Sequence, residues 1–269
     1  MKCWGMIKMD LYRCFAAKRI WLILVLVPIL MCGCIHDSIL ACMKYNLDPY
    51  VSGPSKLMEV LYFDRFKAVM VVMLSGIYTF GISDDLQYSF QKQILGRGVS
   101  VESYVVSKLI ANAIAILFVT ISGFLLFLAI ISPYFPLRGG AGWNGSWTGF
   151  YSVIEKGPFP WLYGVLTGFQ FGLAIVFLSN IGIFVSIFAP SRYVAIAIPY
   201  ILFYILYAFT GILPMSLDFW SISSCWIVLG TNDFWPNFIY SNGILIAAQM
   251  VTAAGCLWAM NRRKKNGNL

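Results

Sequence analysis

Leu109 to Ser132 reads LIANAIAILFVTISGFLLFLAIIS, with no charged side chain in it. A helix that crosses a bilayer needs about 20 apolar residues, at roughly 1.5 Å of rise each. This stretch has that length and is apolar on every side, as a lipid-embedded helix is. The rest of the chain agrees. Of its 269 residues, 60% are hydrophobic and only 11% are charged, against about 25% in an average soluble domain. There are too few charges to coat a soluble core of this size. The composition therefore excludes an ordinary soluble enzyme and predicts a membrane protein. The 17% aromatic content fits, because Trp and Tyr gather at membrane interfaces.

Five more apolar segments flank this one: Ile20–Ile35, Ala68–Ile82, Trp161–Ala189, Val194–Leu213 and Phe238–Met260. The sequence thus predicts an all-α membrane protein with six transmembrane helices in one domain, residues 1–269. The first span reaches full length if Ala16 and Ala17 join it and Lys18 and Arg19 snorkel to the interface. The second is short and must extend through Glu59, Asp64, Arg65 and Lys67. Lys67 there either snorkels or lines an outer gate. No convincing cleavage site follows the first apolar run, which is expected to remain as an anchor.

Flanking charge sets the orientation. With the N-terminus in the cytoplasm, thirteen Lys and Arg fall inside and six outside, while four acids fall inside and seven outside. The net charge of +8 then divides into +9 inside and −1 outside. Both termini are predicted to be cytoplasmic, and the positive balance is a matter of topology rather than of nucleic-acid binding.

Three non-spanning segments carry further signals. In residues 1–19, helical spacing puts Trp4, Ile7, Leu11, Cys14 and Phe15 on one face, with Lys2, Asp10 and Arg13 on another. This predicts an amphipathic helix on the cytoplasmic leaflet, its cations meeting anionic lipid. In residues 83–98, Ser83 can cap a short helix, Asp84 and Asp85 suit its first turn, and Gly96 can end it in a left-handed conformation. Leu86, Phe90 and Ile94 would form one apolar stripe. Ser100 is placed to cap the helix that follows. Residues 214–237 are apolar but too short to cross, and predict a re-entrant element before the last span.

Several chemistries lack their residues. No G-x-x-x-x-G-K-[ST] loop is present to cradle nucleotide phosphates. The single His, His36, and the seven scattered Cys offer no metal cluster. A Cys42–Cys225 disulfide is left open. The spans carry almost no ionisable groups of the kind ion-coupled carriers need at the midplane, which points to an external energy source.

The order of these parts resembles the membrane subunit of an ABC-2 type ABC transporter, the type V exporter fold. The most specific stretch is Phe80 to Lys108. There Asp84 and Asp85 precede Gln93-Ile94-Leu95-Gly96-Arg97-Gly98-Val99-Ser100 and then Tyr104-Val105-Val106-Ser107-Lys108. This is similar to the family's run of leucine, arginine-glycine, serine, tyrosine and lysine leading into span three. The resemblance implies a permease in a bacterial cytoplasmic membrane that is not itself an enzyme. It pairs with a second permease copy, as a homodimer or heterodimer, over two ATP-binding subunits that hold the ATP and Mg. The family's coupling helix maps onto Asp84, Asp85, Leu86, Phe90, Lys92, Ile94, Gly96 and Arg97. Its pathway, lined by spans two and five, maps onto Met70, Met73, Tyr78, Tyr200, Phe203, Tyr204 and Tyr207. A lining of Met and aromatics would suit amphipathic or hydrophobic cargo, such as a peptide, an antibiotic or a lipid-like molecule. The competing reading is a non-transporting scaffold, immunity or sensor protein that binds a peptide or recruits a partner.

Overall fold

The computed structural model describes residues 3–45, 51–62, 64–138, 154, 157–224, 228–230 and 233–266, with backbone only at Cys3, Tyr45, Tyr62, Asp64 and Arg65. The helices among them are α1 (Cys3–Phe15), α2 (Lys18–Cys34), α3 (His36–Tyr45), α4 (Gly53–Tyr62), α5 (Asp64–Ser75), α6 (Gly81–Gln87), α7 (Phe90–Gly96), α8 (Val101–Ile131), α9 (Leu162–Phe188), α10 (Arg192–Ala208), α11 (Phe219–Ser223) and α12 (Phe234–Lys265). The described residues contain no strand. The protein is an all-helical membrane protein.

Among the described residues, three helices are long and apolar enough to cross a membrane: α8 with 31 residues, α9 with 27 and α12 with 32. These match the predicted third, fourth and sixth spans. The other three predicted spans are shorter as helices. α1 and α2 reach spanning length only as a pair, and they are bent by 60° at their junction. The run at 68–82 is divided: α5 stops at Ser75, and the turn at residues 76–80 intervenes before α6. α10 has 17 residues and ends at Ala208, with left-handed Gly211 (φ 81°) shortly after. The sequence ran on in apolar residues where the backbone had already turned.

α9 is the most enclosed of the long helices and α12 the least. It packs on α8, α10 and α12. Against α8 it presents Gly164, Gly168 and Gly172, one per helical turn. A Cβ on these would meet Leu128 Cδ1 at 2.6 Å, the Ile121 Cα at 3.0 Å and Leu117 Cδ2 at 2.9 Å. Such small-residue stripes let membrane helices approach closely where no hydrophobic effect drives them together. Against α10, Gly182 faces Pro199 and the Ala195 carbonyl, 2.5 Å from where a Cβ would sit. That carbonyl is the one Pro199 deprives of its helical donor.

The segment before α12 is held inward. Asp218 caps α11, accepting from the Trp220 and Ser221 amides at 3.2 and 3.1 Å. Gln170 of α9 donates to the Ile222 carbonyl at 2.5 Å. Lys67 is buried, bonded to the Ser224 hydroxyl, and its ammonium lies over the Trp220 ring at 3.1 Å from the centroid. It does not snorkel to an interface. Cys42 carries a free thiol, and Cys225 lies outside the described residues. Among the latter, no group of His, Cys, Asp and Glu could hold a metal ion.

Candidate functional site: an ionic junction between α1, α6 and α8

α8 starts at Ser100, whose hydroxyl accepts from the Ser103 amide at 3.2 Å, as its position predicts. Over the next two turns Tyr104, Ser107 and Lys108 share one face, by their spacing of three and four. That face meets α1 and α6. The Lys108 ammonium lies 2.9 Å from Asp10 Oδ1 and 2.8 Å from Asp85 Oδ2, and donates to the Tyr78 hydroxyl at 3.2 Å. Its three N–H donors are thereby all used. Tyr78 donates in turn to Asp10 Oδ1 (2.8 Å), Ser107 to Asp10 Oδ2 (2.7 Å) and Tyr104 to Asp85 Oδ2 (3.0 Å). Arg13, one turn beyond Asp10 on α1, lies 3.8 Å from Asp85 Oδ1.

Asp10, Asp85 and Lys108 are all buried. Two carboxylates, one ammonium and one guanidinium balance in charge. Burying ions costs several kcal/mol each, roughly, and is tolerated only when pairing and hydrogen bonding are complete. Lys108 pairs with both carboxylates at 2.9 and 2.8 Å, and Asp85 Oδ1 faces Arg13 at 3.8 Å, beyond hydrogen-bond reach. The junction ties α1, α6 and α8 to one another. One turn further along α8, Asn112 donates to Ser179 Oγ at 2.8 Å, and that oxygen lies 2.5 Å from Thr79 Oγ1. The polar stripe thus continues into α9.

The adjacent acids of α6 face opposite ways. Asp85 enters the junction, whereas Asp84 holds Arg192 at the start of α10 by two bonds, Nε to Oδ1 at 2.6 Å and Nη2 to Oδ2 at 3.0 Å. Such fork-to-fork pairs fix orientation as well as distance. Gln87 adds a bond to the Pro190 carbonyl at 2.5 Å. The Phe80 ring has the Arg19 guanidinium 4.1 Å from its centroid and that of Arg192 at 5.8 Å. α6 is consequently tied to α1, α8 and α10 together.

The predicted single helix over 83–98 is two helices. Ser89, with φ 56°, is the one non-Gly residue at positive φ among the described residues, and it separates α6 from α7. Ser83 lies inside α6 and is buried, and no side chain caps that helix. The left-handed glycine is Gly98 (φ 80°), two residues past Gly96. The break undoes the expected stripe: Leu86 is buried, Ile94 is half-buried and Phe90 is exposed. Lys92 and Gly96 are exposed on α7, and so is Arg97, which caps its C-terminal end.

The other candidate residues divide in three. Met73, Tyr200 and Tyr204 line one open groove of about 360 Å³ between α5 and α10, with Ala68, Val69 and Val72. Met70 and Phe203 are buried in the core. Tyr78 belongs to the ionic junction, and Tyr207 packs edge-on against Trp220, centroids 5.2 Å apart.

Searches against protein-family models, curated proteins and solved structures found no match.

Helical spacing puts Asp10 and Arg13 on the polar face of α1, and Lys108 stands just before the charge-free run of α8. The available signal was the spacing Met6, Asp10, Cys14: the buried face of α1 runs through these three positions, and Asp10 replaces an apolar residue in it.

Proposed function

We propose that the chain is the permease subunit of an ATP-driven exporter of the ABC-2 type, powered by a separate ATP-binding subunit. The observation that carries this reading is the double anchoring of α6. Asp84 grips α10 and Asp85 grips α8 and α1, so a push on the attached α7 would reach three membrane helices at once. α7 offers exposed Phe90, Lys92 and Arg97 to a partner. Two such chains would pair, with α5 and α10 bordering a central path whose wall includes Met73, Tyr200 and Tyr204. On this reading α2, α5–α6 and α10 complete six membrane passes, with α1 along the cytoplasmic leaflet, both termini on the α7 side and residues 214–237 dipping in from the other. ATP-driven closure of the partner pair would rock the helices and change which side the path faces. The cargo would be amphipathic or apolar.

The test is co-purification with candidate ATPases, followed by ATP-dependent efflux from reconstituted vesicles. Lys92→Glu with Arg97→Glu should uncouple the ATPase and abolish efflux while membrane insertion is unchanged. Efflux unaffected by this pair, or no ATPase retained by the wild-type chain, defeats the proposal. The second result would favour the scaffold reading.

A further inference from the structure

The cleft between the C-terminal ends of α9 and α12 has no role in the junction or in the groove. It has a volume of about 360 Å³ and is lined by Ile187, Phe188, Ala259, Arg262, Arg263 and Asn266. α12 ends in Arg262, Arg263, Lys264 and Lys265. Among the described residues no acidic side chain pairs with any of these four.

The two arginines that line the cleft are held in place by different means. Arg263 donates to the Ile187 carbonyl, one of the last carbonyls of α9, which helix geometry leaves without an internal donor. Four further N–H donors of that guanidinium remain. Arg262 lies over the Trp258 ring, 5.4 Å from its centroid. Trp258 and Phe188 are exposed large apolar side chains beside the cleft. Because α12 is long and apolar enough to span, its charged end marks the depth of the lipid headgroups, and aromatic side chains are at home there.

We infer that this cleft binds the phosphate of an anionic phospholipid. Two oriented guanidinium groups match the oxygens of a phosphodiester, and Lys264 and Lys265 add field. The flanking aromatics border the acyl chains. Basic clefts between membrane helices at the headgroup level are suited to such lipids. The inference does not depend on the exporter reading; it needs only that α12 spans.

The full chain, purified in neutral detergent, is titrated with phosphatidylglycerol and with phosphatidylcholine of the same acyl chains. Retained lipid is counted by native mass spectrometry and thermal stability is followed in parallel. Phosphatidylglycerol should remain bound and raise Tm, whereas phosphatidylcholine should do neither. Arg262→Gln with Arg263→Gln should weaken retention about 30-fold, at the contribution typical of two interfacial cations. The charge-matched control, Lys44→Gln with Arg138→Gln, two exposed cations away from the cleft and from α1, should retain lipid as the wild type does. Arg262→Gln alone keeps the tether to Ile187 and serves if the double variant fails to insert. Equal retention by the site variants and the control overturns the inference. Inorganic phosphate that matches the effect of phosphatidylglycerol overturns the lipid assignment. Loss of a co-purified acidic protein in the site variants, with lipid retention unchanged, overturns it in favour of a protein partner.

Discussion

Lys108 spends each of its N–H donors on a different part of the chain: Asp10 of α1, Asp85 of α6 and Tyr78 in the turn before α6. Removing it strands two buried carboxylates. Lys108→Met should therefore destabilise the protein by about 3–5 kcal/mol, the cost of breaking a buried ion pair from one side. Thermal unfolding in detergent measures it, and a double-mutant cycle with Asp10→Asn should show coupling between the two sites. Arg192→Gln belongs to a different class, because that guanidinium is half exposed and exposed pairs add little to stability. It should leave Tm near the wild-type value while lowering ATP-dependent efflux, if α6 transmits motion to α10. The sequence placed Asp84 and Asp85 alike in the first turn of a short helix, and it made Asp10 look like an ordinary solvated acid. A helical wheel assigns charge to water, and only partners such as Ser107, 97 residues away, reverse that assignment.

Helices read well where length alone decides, and less well where a single backbone angle decides. The charge-free runs at 109–132 and 161–189 became α8 and α9. The run at 68–82 did not become one helix, because hydropathy counts apolar side chains and is blind to the turn at residues 76–80. The 83–98 stretch was split at Ser89, a residue type without a strong left-handed preference. Ser89→Gly should keep that geometry. Ser89→Val should strain it by about 1–2 kcal/mol, since a branched Cβ clashes in the left-handed region, and should speed amide hydrogen exchange across residues 81–98. At the α9–α10 crossing, Gly182→Ala places a methyl against the Ala195 carbonyl and Pro199. It should cost about 1–3 kcal/mol through overpacking. Gly243→Ala, with nothing within 4 Å of the added carbon, should leave Tm unchanged or slightly raised. Thermal unfolding of the two variants side by side checks both.

At the scale of the molecule, the composition identified a membrane protein, and the long helices packed around α9 bear that out. The distribution of its few charges was legible only in part. Counting by loops assigned most cations to one side. It did not reveal that Asp10, Asp85, Lys108 and Lys67 are buried, because burial of a charge depends on contacts made across the whole bundle. The proposed topology predicts that Cys substitutions at Tyr88 and Asn266, in a background without native cysteines, react with a membrane-impermeant reagent from one side. A Cys at Met215 should react from the other. All three native side chains are exposed, so labelling reports sidedness rather than access.

The ionic junction also has a consequence for biogenesis. Ser107, one of the ligands of Asp10, leaves the ribosome 97 residues after it. At about 5–20 residues per second of synthesis, that delay is roughly 5–20 s. Through that interval the carboxylate has no counter-ion in the nascent chain at the position it will finally occupy. α1 must therefore wait in the hydrated headgroup layer while later segments enter the bilayer, and it docks only after α8 has been made.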